Sequence, residues 1–105
     1  MSAEALLPEC ELLGHKAWVP EHVVYRDFVT ETVVLNLETG EYHGLNRTGG
    51  LMLAALERTE TIGAAARTLA DEYGSALAEV ERHVCVFCTD LLARGLIRLR
   101  GDGDD

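Results

Sequence analysis

The chain changes period at Asn46. Upstream, "HVVYRDF" and "ETVVLNL" are rich in β-branched and aromatic residues, with the polar "VTE" between them. In the second run Val33, Leu35 and Leu37 share one face at a spacing of two, while Val34 and Asn36 point the other way. "ETG" then supplies a three-residue hairpin loop, with Gly40 free to take positive φ, and Glu41–Leu45 completes a three-stranded antiparallel meander. Downstream the spacing becomes helical. Asn46 is a good N-cap for "RTGGLMLAALE", despite the two glycines that weaken this helix.

Two more helices follow. Thr61 caps the second, with Ile62, Ala65, Ala66, Leu69 and Tyr73 on one face, and Gly74 stops it. Ser75 starts the third, which runs from Ala76 to Arg94 with Leu77, Val80, Val84, Phe87, Cys88 and Leu91 as its apolar stripe. Gly95 ends it, and "LIRL" reads as a short returning strand or wing. The predicted class is α+β: a three-stranded antiparallel sheet followed by three helices, with a winged helix-turn-helix-like outline. Residues 1–21 show no sustained period and are broken by Pro8 and Pro20, so they read as a flexible arm docked through Trp18. Residues 22–100 form the domain, and 101–105 a disordered acidic tail.

A length of 105 residues, 48% of them hydrophobic, suits one domain with one core. No apolar run reaches the roughly 18 residues needed to cross a bilayer, and "MSAEALLPEC" lacks a secretory signal's basic start. Three cysteines, an odd number, argue against a disulfide scaffold, and the expected location is cytoplasmic. The net charge of −9 speaks against nucleic acid and for basic partners. Removing the three tail aspartates still leaves −6, so the acid bias belongs to the domain.

Catalytic and metal motifs are weak. "CVFC" at 85–88 has CxxC spacing, but no second CxxC or Cys-His pair matches it, and only a long-range coincidence would bring in Cys10, His15 and His83. The pair lies deep within a helix rather than at the N-terminus where a thiolate is stabilised, so core or groove-lining thiols are expected. The sequence contains no HExxH, no GxSxG and no phosphate-loop lysine after "RTGG". No enzyme activity, cofactor or metal is expected. Residues 61–94 have a DNA-binding helix–turn–helix outline, yet the first turns of the would-be recognition helix offer Glu79, Glu81 and Arg82. A winged-helix transcriptional regulator is therefore the alternative reading.

The third strand is an edge with unpaired backbone groups, guarded only by Glu41 and interrupted by Gly44. Packed beside the third helix, it is either a protected hairpin end or one wall of a groove that captures an extended peptide as an added strand.

Three segments, "TVVLNLETGEYHGLNRTGGLMLAAL", "TIGAAARTLADEYG" and "VERHVCVFCTDLLARGLI", resemble the PqqD family of precursor-peptide recognition domains, also called RiPP recognition elements. The resemblance spans about residues 22–100. It rests on a VVLNLxTGxYxxLN strand–turn–strand, an LNxTG helix start and an LLxRGL ending. It implies a non-catalytic peptide chaperone that binds the leader of a ribosomally made precursor peptide as a strand added to strand three, with helix three as the other wall. The partner served would be a modifying enzyme such as a radical SAM protein, a leader peptidase or a cyclase. Carried onto this chain, the peptide would pair with Glu41, Tyr42, His43, Gly44 and Leu45. Its apolar side chains would settle on Val80, His83, Val84 and Phe87, with Cys88 deeper in. The namesake's Pro-Glu-Gly turn is replaced here by Glu38-Thr39-Gly40, which suits a lasso-peptide or other branch as well as the cofactor pathway.

Overall fold

The computed structural model describes residues 11–100. A 3-10 turn, Glu11–Gly14, leads into β1 (Lys16–Trp18), β2 (Val23–Asp27), β3 (Glu31–Asn36) and β4 (Tyr42–Asn46). The helices α1 (Arg47–Arg58), α2 (Ile62–Tyr73) and α3 (Leu77–Ala93) follow, and β5 (Arg98–Arg100) closes the order. Strands β2-β3-β4 form an antiparallel meander, and β1 pairs with β5 in a second, two-stranded sheet. The α+β class and the order of three strands before three helices stand as expected.

Local chemistry explains the boundaries. The Asn36 carboxamide accepts the N–H groups of Glu38 (2.9 Å) and Thr39 (3.2 Å), and Gly40 takes φ 80°, which closes the β3–β4 hairpin. Asn46 accepts Gly49 N–H at 2.8 Å to start α1, and Thr61 accepts Ala64 N–H at 3.0 Å to start α2. Gly74 ends α2 in the left-handed region at φ 65°. Ser75 is not a cap: its N–H completes α2 by donating to Ala70 C=O at 3.1 Å, and α3 starts after Ala76 without a side-chain cap.

One face of the meander meets α1. Thr32, Val34, Asn36 and Leu45 are buried on that face, and Leu53, Ala55 and Leu56 of α1 join the core. The two glycines of α1 permit this approach. A Cβ on Gly50 would lie 2.3 Å from Thr32 Oγ1, and one on Gly49 would lie 3.2 Å from Leu45 Cβ. The helical cost of two glycines, about 1 kcal/mol each, is offset by contact that any larger residue would prevent. Val33, Leu35 and Leu37, with Val24 of β2, lie on the opposite face, and Leu37 and Val24 are exposed.

Residues 11–21 correct the expectation of an arm. Ala17 is buried, Ile62 N–H donates to His15 C=O at 2.8 Å, and Lys16 Nζ donates to the carbonyls of Leu56, Glu57 and Thr59 at 3.1, 3.3 and 2.8 Å. Three-residue strands and a 3-10 turn are too short to show a period, which is why the segment read as loose. Trp18 does not anchor it; the ring is part-exposed beneath the Arg98 guanidinium, 5.9 Å from its centroid. The expected acidic tail and Cys10 lie outside the described residues. Tyr73, placed by periodicity on the buried face of α2, is exposed because it belongs to the last turn, beyond the core.

Candidate functional site: the β4 edge and the α3 groove

An antiparallel ladder alternates residues that bond their neighbour with residues that face away. Asn36 N–H donates to Glu41 C=O at 2.9 Å, and the register pairs Val34 with His43 and Thr32 with Leu45. Glu41, His43 and Leu45 therefore spend their backbone groups on β3. Tyr42 and Gly44 turn theirs toward the free edge, and Asn46, whose carbonyl opens the α1 ladder as its N-cap, leaves only its N–H there. The pleat sorts side chains the same way: His43 and Leu45 point to the helix side, Tyr42 and Asn46 to the other.

Beside this edge runs a groove of about 610 Å³, floored by Leu45, Gly49 and Met52 and walled by His83, Val86 and Phe87 of α3. Gly49 lets Phe87 lean in, since a Cβ there would stand 3.3 Å from its ring. One end is closed by a polar clasp. Arg94 reaches His43 Nδ1 at 3.3 Å and pairs with Asp90 at 3.1 Å. The other end opens into a second, more apolar cavity of about 240 Å³ between α1, α2 and α3, lined by Leu51, Leu69, Tyr73 and Val80. Met52 and His83 border both spaces.

The expected residues divide accordingly. Gly44, Leu45, His83 and Phe87 line the groove, and Val80 lines the second cavity. Tyr42 offers its backbone while its side chain stands away from the groove, and His43 meets Arg94. Glu41 precedes β4 and is exposed, with its carbonyl already used by Asn36. Val84 and Cys88 are not groove walls: both are 0% exposed and sit in the core. The stripe read from sequence merges two faces of α3. The core face is Val84, Cys88 and Leu91; the groove face is His83, Val86 or Phe87, Asp90 and Arg94, offset by one residue.

Met52, Val86, Asp90 and Arg94 were missed. Val86, 70% exposed in mid-helix, is the one whose exposed position was legible as an apolar residue outside the stripe.

Cys88 is a free thiol, pushed up to about 12 by desolvation, and it is not bridged to Cys85. It is shut away from solvent and unsuited to redox or metal chemistry. Among the described residues no group of three or more His, Cys, Asp or Glu side chains is placed to hold a metal ion. Among them, too, no helix is long and apolar enough to cross a membrane.

Comparison with known proteins gives two similar solved structures. TbiB1 in complex with the TbiA(beta) leader peptide is 27% identical, with a TM-score of 0.72 over 81% of this chain and 99% of that one. Lasso peptide synthetase B1 complexed with the leader peptide shares the fold, at 23% identity and a TM-score of 0.70 over 79% of this chain and 98% of that one. No curated protein matches. The family profile described as coenzyme PQQ synthesis protein D matches residues 31–97, more than half of the chain. The chain belongs to the PqqD family.

Proposed function

We propose that this protein is a non-catalytic peptide chaperone. It binds the leader segment of a ribosomally synthesised precursor peptide as a strand added to β4, and presents it to a modifying enzyme. The observation that carries the reading is the unpaired edge at Tyr42 and Gly44, set beside an apolar groove. Backbone bonds would hold the peptide in register. Its helix-side residues would sit over Leu45 and Phe87, and one long apolar side chain would reach the cavity beyond Met52 and His83.

Micromolar affinity requires about 8 kcal/mol, which several edge hydrogen bonds and two or three buried anchors can supply. The leader complexes of TbiB1 and of lasso peptide synthetase B1 support the same assignment. The DNA-binding alternative has less behind it, because the first turn of α3 carries Glu79 and the chain's net charge is −9.

Titration calorimetry with a candidate precursor peptide, its leader segment and the remainder assayed separately, tests the proposal. Saturable one-to-one binding is expected for the leader segment and none for the remainder of the precursor. Absence of leader binding, or binding confined to the remainder, would contradict it.

A further inference from the structure

The outer face of the meander carries an apolar row where an exposed sheet face ordinarily turns polar. The register places Val24, Leu35 and Tyr42 in one row across β2, β3 and β4, and Arg26, Val33 and Gly44 in the next. Val24 is 45% and Tyr42 73% exposed. The first row therefore ends at the free edge in a large aromatic side chain, with no described strand beyond it.

A strand added to β4 cannot place all its side chains in the groove. In either orientation the pleat sends every second one to the outer face. Tyr42 turns both its N–H and its C=O toward that edge, so an incoming antiparallel residue opposite it forms a hydrogen-bonded pair. The two Cβ atoms then stand about 5.5 Å apart on the outer face. The groove recognises one set of alternating positions, and the Val24–Leu35–Tyr42 row is continuous with the other set.

We propose that the peptide is read on both faces: its outward residue opposite Tyr42 extends the Val24–Leu35–Tyr42 row and is selected to be aromatic or β-branched. This rests on the strand-addition reading above. Tyr42 is then a specificity-determining side chain as well as a backbone partner. A peptide carrying only the groove anchors binds, but less tightly. Cross-strand aromatic pairs imply a loss of about two- to fivefold in affinity when the outward residue is alanine.

A displayed library of random 16-residue peptides, panned on the full chain and on Tyr42→Thr, tests this. Threonine keeps the strand propensity and the outward backbone while removing the ring. The expected wild-type profile has apolar residues at alternate groove-facing positions, plus one aromatic or β-branched position of opposite parity. With Tyr42→Thr the opposite-parity preference disappears and the groove preference stays. Alanine at that position lowers affinity two- to fivefold for wild type and leaves Tyr42→Thr unchanged.

Random residues at all opposite-parity positions of the wild-type profile overturn the inference while leaving strand addition intact. So do identical profiles from the two proteins. Should the variant fail to fold, the wild-type profile decides alone. If wild type retains no peptide, or its peptides bind Tyr42→Pro equally well, the strand-addition reading falls and takes this inference with it.

Discussion

Tyr42 and His43 are neighbours with opposite backbone duties, and proline separates them. The Tyr42 N–H faces the free edge, whereas the His43 N–H lies in the ladder with Val34. Tyr42→Pro should leave a folded protein that no longer binds the peptide, because proline is tolerated on an edge but removes the donor. His43→Pro should instead cost roughly 1–3 kcal/mol of stability by orphaning a ladder carbonyl. Circular dichroism melts and calorimetry on the pair separate the two outcomes. The order of the three-stranded meander makes its third strand an edge, but does not say which amides it leaves open. That parity came from the Asn36–Glu41 bond at the hairpin end. Cys88 gives a second test at this scale. Burial raises its thiol from the ordinary 9.0 to about 12, so the folded state holds the proton longer than the unfolded chain does. The stabilising contribution is whole below pH 9 and is lost as pH rises toward 12. The stability gap between wild type and Cys88→Ala, measured by urea unfolding, should be constant from pH 6 to 8 and shrink above 9. A thiol reagent at pH 8 should label Cys88 only after unfolding.

At the scale of elements, α1 is where helix propensity and tertiary packing conflict. Gly49 and Gly50 weaken the helix in isolation, yet Thr32 fills the space that a Gly50 Cβ would need, and its hydroxyl donates to Asp27 at 2.6 Å. Gly50→Ala should therefore destabilise by about 1–3 kcal/mol despite alanine's better propensity. A higher midpoint in thermal unfolding would contradict that. Caps and stops were legible because they are local: Asn46, Thr61 and Gly74 each do what their side chains or φ angles favour. The end of α1 was legible to within a residue, but not the part of its cap that comes from far along the chain. Lys16, with its stem along the helix end, donates to three of the final carbonyls. Lys16→Met keeps the stem and removes the donors. About 1 kcal/mol of stability should go with them, read as a lower melting temperature. The two faces of α3 were merged for a different reason: a one-residue offset is about 100° of helix rotation, and an apolar stripe broad enough for core and groove together hides it.

For the whole molecule, the order of sheet and helices was legible, but its closure was not, since β1 and β5 join residues 16–18 to 98–100 across nearly the full chain. Charge acts at this scale too. The chain carries nine basic and eighteen acidic residues, and such an excess acts on an approaching peptide before any contact forms. At about 0.1 M salt the screening length is roughly 10 Å, and at 1 M it is about 3 Å. Steering over longer distances should therefore fade between those conditions, whereas bonds to the Tyr42 and Gly44 backbone, formed at contact, should not. Association with a lysine-rich peptide should slow by about an order of magnitude across that range, with the dissociation rate nearly unchanged. A sequence-matched peptide with its lysines replaced by glutamine should show a flat association rate. Stopped-flow fluorescence on the two peptides measures both. Equal salt slopes would assign the acidic surface to solubility and leave recognition to the edge and the groove alone.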